Sequence, residues 1–228
     1  MALTNEQIIE LVQKYFRTEW KLSPDKKSNV LFDRFECRYD IDSSAILYSL
    51  IRKYKPENTV EIGTWQGGST CVILKALIKN ELPFIHIASE MLSELRTETA
   101  KNTLLECQMT PMIVGKIEDN LKILPEEIDF LFVDTNHDRA TTEWIAENIW
   151  PRIVKGGVFS MHDWAVWEEG GVLKGKGDNE QPALSETEYL FERIKRNTFP
   201  FEKMYWSYNN PAWDGMNSTR ESGFWKKI

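Results

Sequence analysis

Between residues 58 and 161 short apolar runs alternate with longer stretches whose apolar positions recur at helical spacing. Short runs bounded by Gly, Pro or charge read as buried strands, and the longer periodic stretches as helices. The pattern predicts strands over 59–63, 84–89, 111–114, 128–133 and 157–161, with helices over 67–79, 92–107, 140–150 and a short one near 118–124. Such alternation implies a mainly parallel sheet with helices on both faces, because consecutive parallel strands need a crossover between them. A helix over 186–196 and two aromatic strands, 203–208 and 223–227, complete the pattern as a C-terminal antiparallel hairpin and bring the sheet to seven strands.

Ahead of this α/β region, Ile8, Ile9, Leu11, Val12, Tyr15 and Phe16 fall on one helical face behind a Thr4 or Asn5 cap. Residues 21–38 are polar, contain Pro24 and read as a connecting loop. A second helix is expected over 43–54, capped by Asp42 or Ser43 and ending before Pro56. The expected division is an N-terminal helical extension, 1–42, and one α/β domain, 43–228. The Gly-, Pro- and charge-rich stretch Gly170–Ser185 reads as a long loop of the kind that covers a site.

The net charge is −7 and the Lys and Arg residues are scattered, so the chain lacks the basic stripe of a nucleic-acid-binding surface. Cys37, Cys71 and Cys107 lie far apart in apolar surroundings, as free thiols do in a reducing compartment. The N-terminus has no signal-peptide pattern and no run is long enough to span a bilayer, which gives the expectation of a soluble cytoplasmic protein with no membrane partner. Tryptophans concentrate in the second half of the chain, where they line a pocket, an oligomer interface or the core.

The chemistry gathers at strand ends. Thr59-Val60-Glu61-Ile62-Gly63-Thr64-Trp65-Gln66-Gly67-Gly68-Ser69-Thr70 reads as strand, glycine turn and helix, in which the glycines admit a ligand to the backbone and the helix start offers N–H groups to an anionic end. A phosphate-binding P-loop requires Lys before the Ser/Thr, which is absent, and the dinucleotide spacing G-x-G-x-x-G is also absent. E-x-G-x-x-x-G remains. The next strand ends in Glu90, a later one in Asp134-Thr135-Asn136-His137-Asp138, and the last parallel one in His162-Asp163-Trp164. Of the three histidines, two stand at these ends; His86, inside a strand, reads as a packing residue without a role. Asn209 to Trp213 reads as a turn.

These motifs resemble those of class I S-adenosylmethionine-dependent methyltransferases, and V-D-x-x-H with G-G-V-x-x-x-H-D resembles their catechol-type and macrolide-sugar O-methyltransferase branch. The resemblance implies a Rossmann-like, doubly wound fold and O-methylation of a small hydroxylated molecule. It implies that Glu61, Gly63, Gly67 and Ser69 hold the methionine end of S-adenosylmethionine and Glu90 the ribose. Glu118, within Gly115–Asp119, falls at the adenine edge, although Lys116-Ile117 departs from the family's usual residues there. Asp134, His162 and Asp163 match ligands of a divalent metal, Mg²⁺ or Mn²⁺, with Zn²⁺ of equal weight if His162 binds directly. His137 matches the catalytic base. Other readings stand beside these: Glu90 as a surface glutamate, Asp134 and Asp163 as helix caps, His162 as a substrate-orienting group, and Trp164 and Trp167 as core or as an aromatic wall. For the whole protein the alternatives are a catalytically silent cofactor-binding or interaction module, or another Rossmann-like enzyme such as an oxidoreductase. A homo-oligomer completed by the aromatic N-terminal extension is also open.

Overall fold

Strand β6 (Ile128–Val133) is apolar at every position but Asp129, as a strand covered on both faces must be. Phe130 and Phe132 pack into one layer, Leu131 and Val133 into the other. The computed structural model describes residues 3–19, 31–32, 35–36, 41–64, 67–90, 113–135, 138–162, 185–206 and 222–228. The expected helix over 92–107, loop 170–184, the turn at 209–213 and the side chains of Cys37, Cys107, His137, Asp163, Trp164 and Trp167 lie outside them.

Seven strands form the main sheet in the order β5-β4-β3-β6-β7-β9-β8. Their bounds are β3 Asn58–Ile62, β4 Ile85–Glu90, β5 Ile113–Val114, β7 Ile153–Met161, β8 Phe201–Trp206 and β9 Gly223–Lys227. The pairs from β5 through β7 are parallel, and β9 is inserted antiparallel between β7 and β8. The chain runs outward from β3 through β4 to β5, then returns to the other side of β3 at β6. The strand order therefore reverses between β3 and β6, and it is beyond the carboxyl ends at such a switch point that the crevice of an open α/β sheet holds its ligand.

One face of the sheet is covered by the N-terminal helices and by α2 (Ile41–Tyr54) and α3 (Gly68–Lys79), which bring Phe16, Leu47, Leu50, Val72 and Leu77 against Phe130 and Phe132. The other face is closed by α4 (Arg139–Asn148) and α5 (Ser185–Lys195), with Ile145, Trp150, Leu190 and Phe201 against Leu131 and Phe159. Trp150, Phe159, Phe199, Phe201 and Trp225 form an aromatic cluster with ring centroids 5.2–5.8 Å apart. The tryptophans of this pair of residues, 150 and 225, belong to the core.

Helix α1 (Asn5–Leu11) starts at a reciprocal cap in which the Gln7 N–H donates to Thr4 Oγ1 and the Thr4 N–H to Gln7 Oε1. It widens into π-type bonding over Val12–Phe16 and ends in a last turn, Arg17–Glu19. Three departures from the sequence pattern have a clear physical reason. Helix α2 begins at Ile41, so Asp42 and Ser43 lie inside its first turn and not ahead of it; Ser43 is fully buried and accepts a 2.6 Å hydrogen bond from Ser222 Oγ. The expected loop over 21–38 contains a small antiparallel pairing, β1 (Leu31–Phe32) with β2 (Phe35–Glu36), too short to leave a period in the sequence. Strand β7 begins at Ile153, because its pairing with β6 shifts register between Ile128 and Phe130 and carries the strand through the Gly156-Gly157 interruption. No helix among the described residues is long and apolar enough to cross a membrane.

Candidate functional site

The carboxyl ends of β3, β4, β6 and β7 bring Gly63, Glu90, Asp134 and His162 to one edge of the sheet. The ends are laced by backbone bonds. The Gly63 N–H donates to Ser89 O at 2.8 Å, the Asp134 N–H to Ile62 O at 2.8 Å, and the His162 N–H to Val133 O at 2.9 Å. Gly63 adopts φ +87°, and a Cβ there would lie 1.8 Å from Asp134 O. Glycine is thus required twice over, for the left-handed turn and for the contact with the neighbouring strand end.

Gly67 is also left-handed, with φ 85°, and precedes the first residue of α3. Its N–H donates to Thr64 O at 2.7 Å and its carbonyl accepts from the Cys71 N–H at 2.9 Å, which fixes the turn between strand and helix. At the β4 end, Glu90 Oε2 accepts from the Thr64 N–H at 3.0 Å and lies 3.4 Å from Thr64 Oγ1. This carboxylate is only 8% exposed, so the surface-glutamate reading fails. Thr64 was not singled out by the sequence, yet it ties the glycine turn to the acidic strand end. Gly115 comes to the same place, its N–H donating to Glu90 O at 2.9 Å. Glu118 follows in the first turn of the 3₁₀ helix Ile117–Ile123 and is exposed.

Glu61 and Ser69 lie beneath the loop. Glu61 is fully buried and its Oε1 accepts a 2.5 Å hydrogen bond from Ser69 Oγ, joining β3 to the start of α3. On the neighbouring strand, His86 is equally buried with Nε2 3.3 Å from Glu61 Oε2. This contact was not legible in the sequence; it follows from the parallel register that sets Thr59 opposite His86.

At the other side of the crevice, His162 Nδ1 stands 3.4 Å from Asp134 Oδ2, with His162 buried and Asp134 partly exposed. The two expected ligands from separate strand ends are therefore together. Asp134 does not cap the next helix. That cap is Asp138, whose Oδ1 accepts from the Thr141 N–H at 2.8 Å and Oδ2 from Thr141 Oγ1 at 2.9 Å. Octahedral ligands at roughly 2.1 Å from a small divalent ion lie about 3 Å from one another, and a carboxylate beside an imidazole fits Mn²⁺ or Zn²⁺ in donor type. Among the described residues no group of three or more such ligands assembles; the third expected one, Asp163, and the expected base, His137, lie outside them.

Residues 60–164, which span the glycine turn and all these strand ends, match a family described as Methyltransferase domain. The chain has the class I methyltransferase fold. Solved structures of methyltransferases share the fold across almost the whole chain. The O-methyltransferase of Bacillus cereus, in complex with SAH, is 17% identical with a TM-score of 0.59, covering 98% of this chain and 92% of that one. TomG of Streptomyces achromogenes, an O-methyltransferase involved in tomaymycin synthesis and solved with SAM, is 16% identical with a TM-score of 0.60, covering 100% and 92%. The SAH-bound methyltransferase PaMTH1 of Podospora anserina is 15% identical with a TM-score of 0.55, covering 100% and 90%. Among curated protein sequences none matches. The residues matched to the family begin at Val60, so the N-terminal helices, which pack on the sheet through Ile8, Val12 and Phe16, lie outside the matched stretch.

Proposed function

We propose that the protein is an S-adenosylmethionine-dependent O-methyltransferase acting on a small hydroxylated molecule, with residues 43–228 as the catalytic unit. The observation that carries the reading is the convergence of the Gly63–Gly67 turn, Glu90 and the Asp134–His162 pair on one sheet edge, inside a stretch that matches a methyltransferase family. The SAH and SAM complexes of the fold neighbours support the choice of cofactor.

In this reading the helix start behind Gly67 receives the methionine end, Glu61 and Ser69 hold that start in place from below, and Glu90 faces the ribose diol. A carboxylate accepts from two hydroxyls at once, which suits that position. S-adenosylmethionine supplies a sulfonium methyl group: the substrate oxygen takes the methyl as the C–S bond breaks, and sulfur leaves neutral as S-adenosylhomocysteine. No acid is needed for the leaving group. The residues have to free the nucleophile of its proton and hold it on the S–CH₃ axis. His137, three positions after Asp134, takes that proton. Asp134, His162 and Asp163 would hold a divalent cation, which would lower the substrate hydroxyl's pKa and fix its angle of approach. The placement of His162 Nδ1 toward Asp134 favours one alternative within the same function, in which this pair orients the substrate directly.

His137→Ala separates binding from chemistry. Turnover on a panel of vicinal hydroxyl compounds is expected to fall about 100-fold or more while S-adenosylhomocysteine affinity stays within about twofold. Equal losses in both would refute the base assignment. Chelation followed by Mn²⁺ or Mg²⁺ restoration decides between a metal and the Asp134–His162 pair alone.

A further inference from the structure

The geometry points to His86 as a positioning residue of the cofactor cradle, acting through Glu61; this rests on the methyltransferase reading above. Glu61 and His86 are both 0% exposed, and 3.3 Å separates the imidazole Nε2 from Glu61 Oε2. Among the described residues no hydrogen bond of good geometry reaches Glu61 Oε2 or either ring nitrogen. Burying a carboxylate with one oxygen unanswered is costly, and the polar group that approaches this oxygen among the described residues is the His86 ring. Two lone pairs facing each other at such a distance out of water would repel, so a proton lies between them, carried on Nε2. A small rotation of the ring turns the contact into a hydrogen bond.

The other half of the carboxylate determines what that bond does. Glu61 Oε1 holds Ser69 Oγ at 2.5 Å, and Ser69 is the second residue of α3, two positions after the left-handed Gly67. A chain of contacts therefore runs from β4 through Glu61 on β3 to the helix start that receives the methionine end. With His86 in place the carboxylate has one orientation. Without it, the carboxylate is free to turn away from Ser69, and the helix start loses this side-chain link to β3. The position of His86 is set by register, since Thr59 and His86 are paired and Glu61 follows on the same face of β3.

The test is calorimetric titration of the full chain with S-adenosylhomocysteine, using His86→Leu, His86→Gln, Glu61→Gln and the double variant His86→Leu/Glu61→Gln. His86→Leu is expected to weaken binding about tenfold and His86→Gln, which keeps an N–H donor, to recover most of that loss. The double variant should bind no more weakly than Glu61→Gln alone, because His86 then has nothing to position. Unchanged affinity in His86→Leu, or losses that add in the double variant, overturns the inference. If wild-type protein binds no S-adenosylhomocysteine, the methyltransferase reading falls and takes this inference with it. Should His86→Leu fail to fold, ring ¹⁵N resonances decide: with three histidines in the chain, Glu61→Gln must move the His86 Nε2 signal, and an unmoved signal overturns the inference.

Discussion

Gly63→Ala would set a Cβ 1.8 Å from the Asp134 carbonyl oxygen, in a backbone conformation with φ +87°. Neither atom can yield cheaply, since the oxygen belongs to the end of a central strand. We expect a loss of more than about 3 kcal/mol in denaturant unfolding. Gly115→Ala offers the comparison: its φ is +122°, but a Cβ there meets nothing nearer than Asn120 Nδ2 at 3.6 Å. Only backbone strain remains, and the expected loss is about 1–2 kcal/mol. Equal losses would show that strain alone, and not the contact with Asp134, makes position 63 intolerant. The residue scale also shows where a sequence stops being informative. That Gly63 and Gly67 turn a loop was legible, because glycine spacing after an apolar run has few other uses. That Asp138 and not Asp134 caps α4 was not legible, because both are acidic residues ahead of the same helix and only the path of the chain decides. The partner of His86 was hidden for a similar reason, because it sits on another strand.

At the scale of elements, the N-terminal helical segment is held to α2 by a small polar cluster. Glu19 accepts from Tyr48 Oη at 2.6 Å and from Arg52 Nε and Nη2 at 2.9 and 3.0 Å. Burial raises the Glu19 pKa, but the hydrogen bonds from Arg52 and Tyr48 and the charge of Arg52 outweigh it and hold the carboxyl below its usual range. A carboxyl depressed in the folded state contributes stability above its unfolded pKa of roughly 4.3, and that contribution is lost as pH falls through the folded value. Thermal unfolding from pH 7 down to pH 3 should therefore show an acid-side loss that is smaller in Glu19→Gln, with the variant about 1–2 kcal/mol less stable at pH 7. Identical pH profiles for the two proteins would exclude Glu19 as the source. Among the elements themselves, those with several residues of clean period were legible: β3, β4, β6, α3 and α4. The pairing of β1 with β2 and the first half of β7 were not, since the former has no length and the latter runs through a register shift and two glycines.

The molecule as a whole is a sheet with helices on both faces and its reactive groups along one edge. Its overall likeness to solved methyltransferases covers nearly the full chain at low identity, so the fold is shared where most side chains differ. A ligand that binds the folded state alone stabilises it by about 2.7 kcal/mol at one hundred times its dissociation constant. For a chain of this size, S-adenosylhomocysteine at that concentration should raise the thermal midpoint by roughly 5–10 °C. A reduced or oxidised nicotinamide dinucleotide should not. A shift with the dinucleotide alone would favour the oxidoreductase alternative.

The lacing of strand ends has a further consequence for how the two sides of the crevice behave. Gly63 leans on Asp134 O, and the Asp134 N–H in turn donates to Ile62 O, so the Gly63–Gly67 turn and the Asp134–His162 side share one backbone joint. With the cofactor on one side and the substrate on the other, as proposed, this joint gives the two a route to influence each other. If one occupant stiffens or shifts the joint, the other meets a different receptor, and thermodynamic reciprocity makes the two effects equal in size. The apparent dissociation constant of either ligand would then drift with the concentration of the other, although the two need never touch.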